Sequence, residues 1–145
     1  MSSNKASNQN QGFAHVQINL LDNSGRLPAR SGLNWGHRPE YNRNQNEAYI
    51  RVPKRVDDLG FFPNAGIRFV LKTDDGQTLR VTREQANSKA ITTYDSNSIL
   101  GEYFRKRLGL PDGAFIKKAD LQSYGRTDID FYKINATTYA MDFHV

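Results

Sequence analysis

The chain has 145 residues, of which 37% are hydrophobic, and it carries 20 basic and 15 acidic side chains but no cysteine. This length and composition are typical of one globular domain that can bury a real core. No run approaches the roughly 18 consecutive apolar residues of a membrane span, and residues 1–11 lack the apolar stretch of a signal peptide. The lack of cysteine excludes disulfides and thiolate metal sites, and it fits the cytosol.

The formal net charge of +5 is concentrated in one stretch of the chain. Residues 26–55 hold seven basic and two acidic side chains, whereas the rest of the chain is balanced at 13 of each sign. Such a concentrated field beside a neutral body favours a surface that binds a polyanion, because each phosphate contact releases condensed counterions. The alternative is a solvated basic loop without a partner.

The first half of the chain predicts two strands around a long polar loop. Residues 1–11 are rich in Ser and Asn without periodicity, which predicts a disordered lead or linker before a folded domain at residues 12–145. Alternation through residues 14–20 predicts a half-buried strand. Residues 22–47 hold few aliphatic side chains, and so long a loop in a compact domain is usually functional or disordered. Residues 48–52 predict a short strand.

A hairpin is predicted in the middle of the chain. Residues 67–71 alternate, the turn Asp74-Asp75-Gly76 follows, and the alternation resumes at residues 79–81. Residues 90–94 predict a further strand after a polar segment.

The last third of the chain predicts two short helices and two strands. Residues 95–97 can cap a helix that ends at Gly109, and a second helix at residues 118–124 ends at Gly125. The side chains expected on the inner side of the first helix are Ile99, Leu100, Tyr103, Phe104 and Leu108. Two alternating segments, 129–133 and 139–145, predict the closing strands.

Together these elements predict a mostly β fold, a seven-stranded pseudobarrel with two short helices. The core expected from the alternation comprises Val16, Ile18, Ile67, Phe69, Leu71, Leu79, Val81, Phe104, Leu108, Phe131, Met141 and Phe143.

No catalytic constellation is recognisable in the sequence. None of the three histidines has a lysine two positions later, as phospholipase-D-type nucleases require. The nearest imitation of a metal-dependent nuclease is Asp128, Asp130 and Lys133, but in an alternating strand the lysine points to the opposite face. Phosphate loops, nucleophile elbows and metal-ligand spacings are also missing. We therefore expect no catalytic residues, no metal site and no cofactor in this chain.

Two polar segments, residues 26–46 and 83–97, combine basic and amide side chains. Arginine reads guanine and Asn or Gln reads adenine in the major groove, whereas phosphate contacts need only a cation or a donor. The side chains predicted to contact bases are Arg30, Asn34, Trp35, Arg38, Gln85, Asn87 and Lys89. Those predicted to contact the DNA backbone are Arg26, Arg43, Arg51, Lys54, Arg55, Arg83 and Thr92. Trp35, the only tryptophan, also fits a structural role as the anchor of the loop.

Four segments resemble a known family: SGLNWGHRPEYNRNQNEAYIRVP, FFPNAGIRFVLKTDDGQTLRV, SILGEYFRKRLGL and DLQSYGR. Over residues 13–145 the chain resembles the C-terminal domain of NgoFVII-type restriction endonucleases. The resemblance implies a B3-like DNA-binding pseudobarrel that grips the major groove with an N-arm (residues 26–46) and a C-arm (residues 83–97). It further implies double-stranded DNA as partner, a preceding phospholipase-D-like nuclease domain in the parent enzyme, in some members a helicase-like ATPase subunit, and the bacterial cytoplasm.

Two other functions remain open at this point. One is a metal-dependent nuclease with an unrecognised active site. The other is a sugar- or single-strand-binding β-barrel, in which Trp35 and Tyr41 would stack on rings.

Overall fold

The computed structural model describes residues 12–84 and 89–145. These residues form one curled, seven-stranded sheet, a half-barrel, with strand order β1-β6-β7-β3-β4-β5-β2. The strands are β1 (Ala14–Asn19), β2 (Ile50–Arg51), β3 (Phe69–Thr73), β4 (Thr78–Glu84), β5 (Ala90–Thr93), β6 (Asp128–Asn135) and β7 (Thr138–Asp142). The helices are α1 (Lys54–Asp57), α2 (Ser98–Leu108) and α3 (Lys118–Tyr124), with single 3₁₀ turns at Gly32–Asn34 and Pro39–Tyr41.

The predicted mostly β fold with seven strands is confirmed. All neighbouring strands are antiparallel except β3 and β7, which pair in parallel. The two predicted helices correspond to α2 and α3, and both end at a glycine in the left-handed conformation, Gly109 (φ 73°) and Gly125 (φ 111°). The four-residue helix α1 and the two 3₁₀ turns were not predicted.

Ten of the twelve predicted core residues are buried, and the other two show where strict alternation fails. Ile67 is 45% exposed because β3 begins only at Phe69. Ile67 instead belongs to a turn after Gly66 (φ 85°), in which its N–H donates to the carbonyl of Asn64. Leu108, in the last turn of α2, is half-buried against the core. Ile99, expected on the inner side of that helix, is 38% exposed in its first turn.

One side chain of the helix that follows β2 reaches the opposite edge strand of the sheet, β1. Within α1 the guanidinium of Arg55 donates to the backbone carbonyl of Gln17 in β1 at 2.7 Å. This bond satisfies one acceptor on an otherwise open strand edge, which reduces the tendency of the edge to pair with another chain.

The sheet also determines where the two arms lie. The N-arm belongs to the connection between β1 and β2, and the C-arm lies around the connection between β4 and β5. Because β2 pairs with β5, through Ile50 opposite Ile91 and Arg51 opposite Ala90, both arms leave the same strand pair. The strand predicted at residues 90–94, inside the polar segment 83–97, corresponds to β5. Within this segment residues 83–84 end β4 and residues 90–93 form β5, and the connecting residues 85–88 lie outside the described part.

Candidate nucleic-acid interface

The N-arm is anchored to the core by a buried asparagine. The side chain of Asn34 is fully buried, and its amide nitrogen donates to the carbonyls of Pro28 (3.0 Å) and Ile116 (2.8 Å). Its amide oxygen accepts from the N–H of Ile116 at 2.9 Å. Asn34 was predicted to read bases, but a base contact in this geometry would require breaking all three bonds.

A buried arginine provides the second anchor of the N-arm. Arg105 in α2 is 1% exposed and donates to the backbone carbonyls of Ala114 (2.8 Å), Gly101 (3.2 Å) and Leu33 (3.5 Å). Burial lowers the pKa of this guanidinium, partly offset by the charge of Asp112. The cation therefore ties the N-arm, α2 and the loop before α3 to one another.

Two further side chains hold the far end of the N-arm. Asn46, 7% exposed, accepts from the N–H of Gly113 at 2.7 Å, and the ring of His37 bonds to the carbonyl of Gly113 at 2.8 Å. At Gly101 a side chain is impossible without movement, since a Cβ there would lie 1.6 Å from the carbonyl oxygen of Asn46. The backbone of α2 and the end of the N-arm are thus in direct contact.

The outer side of the N-arm is built around Trp35. The guanidinium groups of Arg38 and Arg43 each lie 4.3 Å from the centre of the half-buried indole, and they lie 5.6 and 5.4 Å from the ring of Tyr41. Trp35 also packs edge-on against Tyr49 at 5.5 Å between ring centres. Such cation–π contacts are worth about 0.5–1 kcal/mol each at exposed sites. The arm therefore presents ordered cations on an aromatic platform.

Part of the positive charge of this region is neutralised locally. Arg30 is paired with Glu40, Arg43 with Glu47 at 3.3 Å, and Lys54 with Asp58 at 2.9 Å. Among the described residues, Arg38 and Arg51 form no ion pair within 4 Å of a carboxylate. Arg26 lies in the exposed turn that opens the loop, where its N–H donates to the Asp22 carboxylate at 3.0 Å. Arg38 donates through Nε to the carbonyl of Arg30 at 3.0 Å.

The two arms share a cleft of about 210 Å³. Trp35 and Arg43 line it from the N-arm, and Glu84, Ala90 and Thr92 line it from β4 and β5. A second cleft of about 460 Å³ lies beside it, lined by Arg51 and the first turn of the β1–β2 connection. Tyr49 lines both and separates them.

Two residues assigned to the C-arm are structural. Arg83, 5% exposed, donates to the carboxylate of Asp57 at 2.5 Å and to the carbonyl of Pro63 at 3.3 Å. The hydrogen bond from Arg83, followed by its charge, lowers the pKa of Asp57 below 3.8. Thr92, 6% exposed, donates its hydroxyl to the carbonyl of Ala48 at 2.8 Å. These internal bonds disfavour the predicted phosphate contacts of both residues.

The remaining predicted contacts of the C-arm lie at its tip. Gln85 and Asn87 lie outside the described residues, so these assignments stay predictions. Lys89 is exposed, and its carbonyl accepts from the N–H of Val52. Its ammonium is close enough to Asp57 to contribute to the lowered pKa of that carboxyl.

The carboxylates that imitate a nuclease site are bound to an arginine. Arg126 donates to Asp128 at 2.8 Å and to Asp130, which also accepts from His15 and Gln17. Within residues 12–84 and 89–145, no group of three or more His, Asp or Glu side chains could hold a metal ion. None of the helices in these ranges is long and apolar enough to cross a membrane.

Comparison with known proteins decides the family. The sequence profile of the NgoFVII C-terminal B3-like DNA-binding domain matches residues 8–135, which include both arms and all but the last strand. The chain belongs to this family. A solved structure of a hypothetical protein from Arabidopsis thaliana is similar to this B3-like domain at 14% identity and a TM-score of 0.43, over 91% of this chain and 90% of that chain. None of the curated proteins matches the domain.

Sequence reasoning missed three residues of this B3-like domain. Asn46 and Arg105 were not singled out, because the backbone groups that they bind are distant in sequence or unmarked by it. Glu84 was not predicted, because the expected DNA contacts included no acidic side chain. Its position at the end of a strand that leads into an arm was the available signal.

Proposed function

We propose that this B3-like domain recognises a specific sequence of double-stranded DNA through the major groove with its two arms. We further propose that it serves as the target-recognition domain of a restriction endonuclease. Membership of a DNA-binding family supports the first part most strongly. The preceding nuclease domain and the helicase-like subunit of the parent enzyme are part of the same proposal.

The observation that carries the proposal is the shared cleft. Side chains from both arms line this cleft, where the N-arm contributes Trp35 and Arg43, and Arg38 lies over the same indole. Cations that are ordered before DNA arrives lose less conformational freedom on binding than mobile ones. A protruding loop can enter the major groove and reach base edges, whereas a flat basic surface can contact only the phosphates.

Three of the residues predicted to contact DNA, Asn34, Arg83 and Thr92, are buried, so we omit them from the proposed contacts. We assign Arg30, Arg38, Lys89 and the tip residues Gln85 and Asn87 to bases, with Trp35 as the platform. We assign Arg26, Arg43, Arg51, Lys54 and Arg55 to phosphates. Arg55 and Lys54 are already bonded, to Gln17 and Asp58, so Arg51 is the phosphate contact with the fewest competing partners among the described residues.

The experiment compares two arginines after selection of bound duplexes from a random pool. Arg38→Ala and Arg51→Ala are titrated with the selected duplex and with a random duplex at several salt concentrations. Arg38→Ala should cost about 1–3 kcal/mol of discrimination and relax the preference at one position. Arg51→Ala should weaken both duplexes alike and lower the salt slope by about one.

The matched control is Lys133→Ala in β6, which removes the same charge near the opposite edge of the sheet. It should leave the discrimination between the selected and random duplexes unchanged. The proposal fails if the selection yields no preferred sequence, or if Arg38→Ala and Lys133→Ala affect discrimination equally.

A further inference from the structure

Glu84 is the acidic side chain of the cleft between the arms, and the other charged residue of its described lining is Arg43. Glu84 is the last residue of β4, it is exposed, and it pairs across the sheet with Ala90, so both side chains lie on the face that forms the cleft between the arms. Arg83, its neighbour, points to the opposite face and is buried. Glu84 forms no ion pair or side-chain hydrogen bond with another described residue. In this respect it differs from Glu40 and Glu47, which both pair with arginines of the N-arm.

A carboxylate at this place, without a partner among the described residues, weakens the binding of any duplex. Phosphates that approach the cleft are repelled by it, and its desolvation adds to the cost. Binding surfaces tolerate such a group where it raises specificity, because repulsion of the wrong partner counts as much as attraction of the right one. The question is therefore which base edge an acceptor-only group would favour.

The four bases differ in the donors and acceptors that they present in the major groove. An ionised carboxylate has acceptors and no donor. Guanine presents two acceptors, thymine an acceptor and a methyl group, and adenine an acceptor beside its amino group. Cytosine alone presents its N4 amino group without an adjacent acceptor in the groove, and carboxylates pair with this group.

We propose that Glu84 selects a cytosine at one position of the target by accepting a hydrogen bond from its N4 amino group in the cleft between the arms. This assignment rests on the proposed function and makes it more specific. It predicts opposite effects on two affinities when the carboxylate is removed. Specific binding falls because the cytosine contact is lost, and non-specific binding rises because the repulsion of phosphates is lost.

The test compares Glu84→Ala with Glu102→Ala, which removes an exposed carboxylate from α2 that forms no ion pair among the described residues. Both variants and the wild-type domain are titrated with the selected duplex and a random duplex, and the selection is repeated. Glu84→Ala should bind the selected duplex about tenfold more weakly, bind the random duplex more tightly, and lose one cytosine preference from its selected site. Glu102→Ala should retain the wild-type preferences.

A modified base tests the contact without changing the protein. N4-methylcytosine replaces the amino hydrogen in the groove by a methyl group and still pairs with guanine. At the position that Glu84→Ala relaxes, it should weaken the wild-type domain about tenfold and leave Glu84→Ala within twofold. Equal loss in both proteins overturns the assignment.

Two other outcomes also overturn the assignment of Glu84. One is a Glu84→Ala variant that binds both duplexes more tightly with an unchanged selected sequence, which would make the carboxylate merely repulsive. The other is no change at all, which would place the cleft outside the interface. If the wild-type domain selects no duplex, the proposed function itself fails and the assignment of Glu84 fails with it.

Discussion

Replacing Asn34 by alanine distinguishes an anchor of the N-arm from a base-reading residue. The variant loses three hydrogen bonds and leaves the N–H and the carbonyl of Ile116 without partners in the core, together with the half-buried carbonyl of Pro28. Each buried backbone group that is left unpaired costs about 1–3 kcal/mol. We therefore expect the free energy of unfolding to fall by about 3–5 kcal/mol, a large share of the roughly 5–15 kcal/mol of a typical domain.

The loss is measured by thermal and chemical unfolding followed by circular dichroism. For a chain of this length it corresponds to a decrease of about 10–15 °C in Tm. The matched control is Asn23→Ala, which removes an exposed amide at the start of the same loop and should change stability by no more than about 0.5 kcal/mol. An Asn34→Ala variant with unchanged Tm but poorer discrimination between duplexes would refute the reasoning, because it would make Asn34 the base reader that the sequence alone predicted.

Three further predictions follow from other parts of the structure. Gly36→Ala should cost about 1–3 kcal/mol by denaturant unfolding, since the added Cβ would lie 2.1 Å from the carbonyl oxygen of Asn44; an unchanged midpoint would mean that the loop closes differently. Asp57→Asn should lower Tm at pH 7 by removing the charged partner of Arg83. Because this partner depresses the pKa of Asp57 in the folded protein, the stabilisation is present above pH 3.8 and lost as pH falls below it, so the two Tm curves should converge in acid; a constant difference would contradict this. The domain alone should not hydrolyse DNA with Mg²⁺ or Mn²⁺, and metal-dependent cleavage that Asp130→Asn abolishes would show the opposite.

Much of the fold could be predicted because the strands and helices of this domain have strong local signals. The Asp74-Asp75-Gly76 turn, with Gly76 at φ 88°, joins two alternating segments, and the predicted hairpin is confirmed. The local patterns did not predict where individual strands begin and end. The apolar residue Ile67 continues the alternation of β3, but the strand begins only at Phe69, because a turn formed with Asn64 precedes it.

The site was harder to predict, because the same residue types serve recognition and structure. Asn34 and Arg38 are four residues apart in a polar loop, and nothing in their local sequence distinguishes them. Their surroundings differ because Ile116, distant in sequence, passes behind the loop and pairs with Asn34, whereas Arg38 lies over Trp35 on the outer side. Likewise Arg105 is one of three consecutive basic residues at the end of α2. Only tertiary packing distinguishes it, because it buries this side chain.

The buried anchors also bear on recognition. A long loop that became ordered only on DNA would lose about 0.5–1.5 kcal/mol per immobilised side chain, which would reduce its affinity for every sequence. In this domain Asn34, Asn46 and Arg105 order the N-arm from behind, and Trp35 orders its cations in front. Stability and affinity should therefore fall together when an anchor is removed. When an outward-facing side chain is changed, affinity should fall without a loss of stability, because such a residue contributes to the DNA contact without supporting the loop.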